Sequence, residues 1–215
     1  MTTGAAEQGS GRQEGSATMA DASLDWVKIA CFAWLEEGTG ADAGELLERL
    51  MADENCPAFG PAHHALVGAA LLACSWRAVG KGELGDALDE LFDRASCVPG
   101  AACAKWGVCG AAASCGMAFA ILSGNAPLKK EGWGEGQRMV AQILATIADA
   151  GAPRCCKRDS RIAVRVASSW FNDQLHAGLV ESEPVRGCAV YKQNSACLGS
   201  GCPFFEASVV CVTRG

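Results

Sequence analysis

From Leu24 onward, apolar residues recur at helical spacing. Leu24, Val27, Cys31, Trp34 and Leu35 mark one face of a first helix, with Asp21 or Ser23 placed to cap it. A second helix is expected from about Gly44 to Met51: Asp42 and Glu45 stand at capping-box spacing, and Leu46, Leu47 and Leu50 supply the face. Pro61 suits the first turn of a third, whose apolar residues include Leu66, Val67, Ala70, Leu71 and Cys74. Leu84, Leu88, Leu91 and Phe92 mark a fourth. Pro99-Gly100 breaks the chain ahead of an uncharged run from Trp106 to Leu122, built largely of Gly, Ala, Ser and Cys and expected to be a central helix enclosed by protein. An amphipathic segment around Gln137 to Ala150 stops at Gly151 and Pro153. A last helix runs from Cys155-Cys156 to about His176, with Ile162, Val166, Trp170 and Phe171 near one face. Val185 to Tyr191 and Ser208 to Thr213 are β-prone runs around a Gly/Cys/Pro loop, which predicts a short C-terminal ribbon.

The expected fold is mainly α: a single-domain helical bundle with a Gly/Ala-rich central helix and a small C-terminal β-ribbon. Residues 1–21 lack apolar content and are expected to form a disordered tail, leaving residues 22–215 as one cysteine-rich helical domain. A chain of 215 residues, 50% hydrophobic, suffices for one sizeable core. A net charge of −6 and a single tyrosine argue against a nucleic-acid partner. The Trp106 to Leu122 run approaches the roughly 20 residues of a bilayer span, but its small residues carry little transfer energy, so no membrane partner is expected. There is no P-loop, no dinucleotide-binding glycine fingerprint, no G-x-S-x-G elbow and no Cys-x-x-Cys pair.

The thirteen cysteines change the picture most. The N-terminus has no apolar core of the kind an export signal needs, so a reducing cytoplasmic setting is expected, where cysteine richness reflects metal or thiol chemistry more often than disulfides. In Pro153-Arg154-Cys155-Cys156-Lys157-Arg158 two adjacent thiols sit among fixed cations. Vicinal cysteines bond to one another only with strain, and neighbouring cations favour the thiolate, the form that attacks electrophiles and binds metals. Cys155 and Cys156 are therefore candidate catalytic residues. Arg154, Lys157 and Arg158 are candidates for binding an anionic substrate, the plainer alternative being a solvated helix face paired with Asp159. Cys103 and Cys109, near the start of the central helix, are candidate metal ligands together with Cys155 and Cys156. Cys188, Cys197 and Cys202, in a Gly/Cys/Pro loop, form a second such cluster, suited to an iron–sulfur cluster or to zinc. Of the neighbours His63 and His64, which diverge by about 100° on a helix, one is expected to bind metal or move protons while the other packs. His63 is placed with the metal ligands and His64 with the catalytic residues. Cys31, Cys74 and Cys115 are expected to be packing residues.

The order of Gly60-Pro61-Ala62-His63-His64, Val98-Pro99-Gly100-Ala101-Ala102-Cys103, Trp106-Gly107-Val108-Cys109-Gly110-Ala111, Pro153 to Arg158, Asn194-Ser195-Ala196-Cys197 and Cys202-Pro203-Phe204 resembles a cysteine-rich family of anaerobic bacteria and archaea, domain of unknown function 5714. The resemblance covers roughly residues 56 to 205. It implies a functional unit of His63, His64, Cys103, Cys109, Cys155, Cys156, Cys188, Cys197 and Cys202, an anaerobic setting and, in some relatives, association with methyltransferase domains. At Cys115 the family pattern has a small residue. The leading functional expectation is a cytoplasmic metal-binding redox protein or enzyme, with an iron–sulfur cluster and a small anionic substrate or a redox partner protein. The alternatives are metal-free thiol redox or sulfur transfer at Cys155 and Cys156, and a structural module held by zinc.

Overall fold

In the computed structural model, residues 23–38, 40–181 and 187–205 are described. Asp42 supplies the cap expected of it: its carboxylate accepts the Glu45 amide at 3.0 Å and starts helix α2, Ala43–Ala52, after α1, Asp25–Glu36. The chain continues through α3 (His63–Val79), α4 (Leu84–Ser96), a single-turn α5 (Ala102–Lys105), α6 (Gly110–Ser123), α7 (Trp133–Asp149) and α8 (Cys156–Leu175).

The hub is α3. Every residue from His63 to Ser75 is buried, as expected of a helix apolar on all sides, and α1, α2, α4, α6 and α8 pack around it. Its closest partner is α6, the Gly/Ala-rich helix. At their crossing Gly68 donates its amide to the Ser114 hydroxyl at 2.9 Å. A Cβ on Gly68 would lie 2.8 Å from the Ser114 carbonyl oxygen, so only glycine permits this approach. Leu46, Leu47, Leu50, Leu66, Leu71, Leu72, Leu88 and Leu91 fill the space between helices. Phe119 of α6 meets Phe171 of α8 edge to face, with ring centres 5.7 Å apart.

Two expectations are corrected. The central helix begins at Gly110, not Trp106, because Gly107, at φ +70°, separates the α5 turn from α6 and leaves Trp106 exposed. No strand occurs among the described residues. Residues 187–205, where part of the ribbon was expected, instead form two 3-10 turns, Tyr191–Gln193 and Gly199–Gly201. Gly and Asn give that segment turn chemistry that outweighs its few β-prone residues. The run Ser208 to Thr213, residues 182–186 and the expected tail at 1–21 lie outside the described residues. No helix among the described residues is long and apolar enough to cross a membrane.

Candidate functional site

Three helices begin at one place. α3 opens with His63 and His64; α6 opens at Gly110 with Cys109 as its N-cap; α8 opens at Cys156 with Cys155 as its N-cap. Gly110 lies so close to the His64 ring that a Cβ there would be 1.9 Å from its Cδ2. The backbone of Gly60, just ahead of α3, neighbours the sulfur of Cys156 and opposes the rise of its pKa. Cys109 lies within electrostatic range of Cys156 and Asp159, and His63 within that of Lys157 and Arg154. A helix N-terminus presents unpaired amide hydrogens and the positive end of the macrodipole. Three of them together favour negative charge at their meeting point.

The thiols of Cys109 and Cys156 are nevertheless held protonated at neutral pH. Arg154 places Nη1 3.2 Å from Cys156 Sγ, and its guanidinium lies over the Phe59 ring. Burial still pushes the Cys156 thiol up, with the Gly60 backbone and Arg154 opposing it only in part. Cys109 is pushed up to about 11 by burial, against the pull of the Ala111 and Ala112 amides. The expectation that neighbouring cations yield a free thiolate fails at Cys156, because desolvation outweighs them.

The histidines are neutral for the same reason. Burial lowers the pKa of His63 to about 3, and Lys157 adds to the effect; burial lowers His64 as well. Nδ1 of His63 stands 3.2 Å from the Gly60 carbonyl, which assigns the proton to Nδ1 and leaves a lone pair on Nε2. That Nε2 is buried with no partner, as is Nδ1 of His64.

The expected anion patch does not form as drawn. Arg154 alone of its three residues is exposed. Lys157 and Arg158 are 1% and 2% exposed and turn inward. Lys157 donates to the Met51 carbonyl at 2.8 Å and to Cys56 Sγ at 2.9 Å. Arg158 donates to Asp159 at 3.0 Å and to the carbonyls of Ala150 and Gly151. The helix packs on α2, α3, α6 and α7, so its first turns are enclosed whatever their charge.

Cys103 is half-buried in α5. Cys188, Cys197 and Cys202 are half-buried in the segment after α8, which is anchored five residues beyond Cys156 at Arg161. That guanidinium interacts with Cys188, lies over the Phe204 ring and holds Glu48 through two contacts of 2.5 and 2.7 Å. Cys31, Cys74 and Cys115 are buried packing residues, as expected. Sequence reasoning missed Cys56; its place in the Cys56-Pro57 step, close upstream of the His-His pair, was the available signal. Among the described residues no three Cys, His, Asp or Glu side chains stand in position to hold a metal ion. The donor chemistry and the bare nitrogen of His63 fit a soft metal, but the side chains are not pre-assembled around one point. A separate cleft of about 900 Å³ runs between α2, α7 and α8, lined by Glu48, Gln142, Arg161, Arg165, Trp170 and Phe204 among others; none of the expected site residues lines it.

Fold and site together define a helical, cysteine-rich protein whose thiols and imidazoles gather at helix N-termini. The chain belongs to the family of unknown function DUF5714, which it matches over residues 33–205. No curated protein and no solved structure shows significant similarity to it.

Proposed function

We infer that the meeting point of α3, α6 and α8 binds a soft metal centre: an iron–sulfur cluster as first choice, which would make the protein a redox protein, and zinc as second, which would serve structure instead. The observation that carries this is the bare, buried Nε2 of His63, at the start of a helix whose His64 packs against Gly110, the residue after Cys109, and whose preceding Gly60 neighbours Cys156. Leaving such a nitrogen unpaired costs about 1–3 kcal/mol, which a metal ligated there would remove. Cys103, Cys109, Cys155 and Cys156 are the thiols that would hold the centre, with His63 as the imidazole ligand. A thiolate-ligated cluster carries net negative charge, which suits three positive helix ends and Arg154 better than a near-neutral mixed zinc site does. Bound there, a cluster would supply one-electron transfer. Arg154 would hold the reduced, more negative state or position a small anionic substrate, and Gly60 would orient Cys156. The test is anaerobic purification followed by iron, sulfide and zinc analysis and absorption spectroscopy. Cys109→Ser and Cys156→Ser are expected to lower metal content. A folded, colourless protein that takes up neither a cluster on reconstitution nor zinc ends this reading.

Metal-free thiol chemistry is the second reading, favoured by the contact of Arg154 with Cys156 Sγ. There the cation steers an anionic electrophile to the sulfur and solvent takes the thiol proton. Cys156 is then expected to prefer iodoacetate over iodoacetamide more strongly than the exposed Cys97 does, and Arg154→Ala is expected to lower that preference roughly tenfold. Equal preference at the two cysteines rules it out.

A further inference from the structure

Three consecutive inward-facing cations on α8 meet different partners. Arg158 faces the carboxylate of Asp159 and Arg161 that of Glu48. Lys157 has no carboxylate within ion-pair distance among the described residues. Its ammonium instead rests against the sulfur of Cys56 at 2.9 Å and the Met51 carbonyl at 2.8 Å. Lys157 is 1% exposed, so packing holds its amine on the sulfur. Cys56 itself is half-buried in the loop between α2 and α3, open on one side to a small oxidant.

We propose that Cys56 and Lys157 form an oxidative covalent cross-link, a modification site separate from the metal ligands named above. A peroxide converts the Cys56 thiol to a sulfenic acid and is itself reduced to water. The Lys157 ammonium gives up one proton to solvent, the lone pair this frees on nitrogen attacks the sulfur, and the sulfur–oxygen bond breaks as the hydroxyl leaves as water with a second proton from that nitrogen. The product is a sulfur–nitrogen bond, and each peroxide removes the two electrons that bond formation requires. Preorganisation decides the outcome: the nitrogen already stands at contact distance, so its effective concentration exceeds that of any diffusing thiol. A thiol reductant attacks the sulfur and restores both side chains, as in thiol–disulfide exchange. The bond ties the α2–α3 loop, which carries Gly60, to the first turn of α8 beside Cys155 and Cys156, and it shields Cys56 from further oxidation.

The experiment treats the reduced full-length protein with stoichiometric hydrogen peroxide, blocks remaining thiols, digests at acidic residues and maps peptides by mass spectrometry. The expected result is a Cys56–Lys157 linked peptide, lighter than its two parts by the mass of two hydrogens and released by dithiothreitol. In Lys157→Arg, which keeps the charge but not the amine, the link is absent and dimedone captures Cys56 as a sulfenic acid. The unsubstituted chain decides even if that variant fails to fold. Cys56 recovered from it as a dimedone adduct, or in a disulfide with another cysteine, with no linked Lys157 peptide, overturns the proposal.

Discussion

Burial holds His63 neutral, with its pKa lowered from 6.5 to about 3, so protonation and folding oppose one another. The unfolded chain takes up this proton as pH falls through about 6.5, and the native state refuses it until about pH 3. Stability from this group is therefore complete above pH 6.5 and lost on acidification, at about 1.4 kcal/mol per pH unit across that window. Urea unfolding of the metal-free protein at a series of pH values measures the slope, and His63→Gln is expected to flatten it by one proton's worth. Arg158 makes the converse case, a buried charge that must be present. Arg158→Ala leaves the carboxylate of Asp159 and two carbonyls without their donor, with an expected loss of about 3–5 kcal/mol in urea titration. Neither role was legible from residue type. The sequence shows a row of cations on a helix, but which side of that helix its neighbours cover is decided by packing.

At the scale of elements, the local signals that carry their own chemistry were readable. Asp42 with Glu45 announced the start of α2, and Gly151 with Pro153 the end of α7, because caps and breakers act within a few residues. The start of α6 was misjudged because an uncharged run looks continuous until Gly107 adopts a positive φ, and the C-terminal segment because turn chemistry outweighed a few β-prone residues. The α3–α6 crossing depends on a distance that no pattern encodes. A Cβ on Gly68 would stand 2.8 Å from the Ser114 carbonyl oxygen and 2.9 Å from Leu91 Cδ1, and backbone of a packed helix cannot step aside as a side chain does. Gly68→Ala is thus expected to destabilise by about 1–3 kcal/mol despite alanine's better helix propensity. A shift in thermal midpoint of the opposite sign would show that the two helices have room to separate.

For the molecule as a whole, the sequence marked candidate residues without showing how they are grouped. The motifs at His63-His64, Cys109 and Cys155-Cys156 are far apart in the chain and meet because each opens a helix of the same packed trio. The Cys188 to Cys202 motif is tied instead to Arg161. On the proposed metal-binding function, this grouping would make metal uptake a countable proton equilibrium. Cys109 is pushed up to about 11 and Cys156 also lies above its ordinary value, so at pH 7 each thiol must give up a proton to ligate. His63 is already neutral at that pH, its pKa being about 3, and gives up none. The protons released per metal bound at pH 7 therefore count the thiolate ligands alone, and apparent affinity is expected to rise about tenfold per pH unit for each of them. Calorimetric titration of the reduced protein with zinc in buffers of different ionisation enthalpy measures that number. Cys156→Ser should lower it by one, whereas His63→Gln should weaken binding and leave the proton count unchanged. An unchanged count in Cys156→Ser would remove that thiol from the ligand set, and a lowered count in His63→Gln would contradict the neutral imidazole on which the site rests.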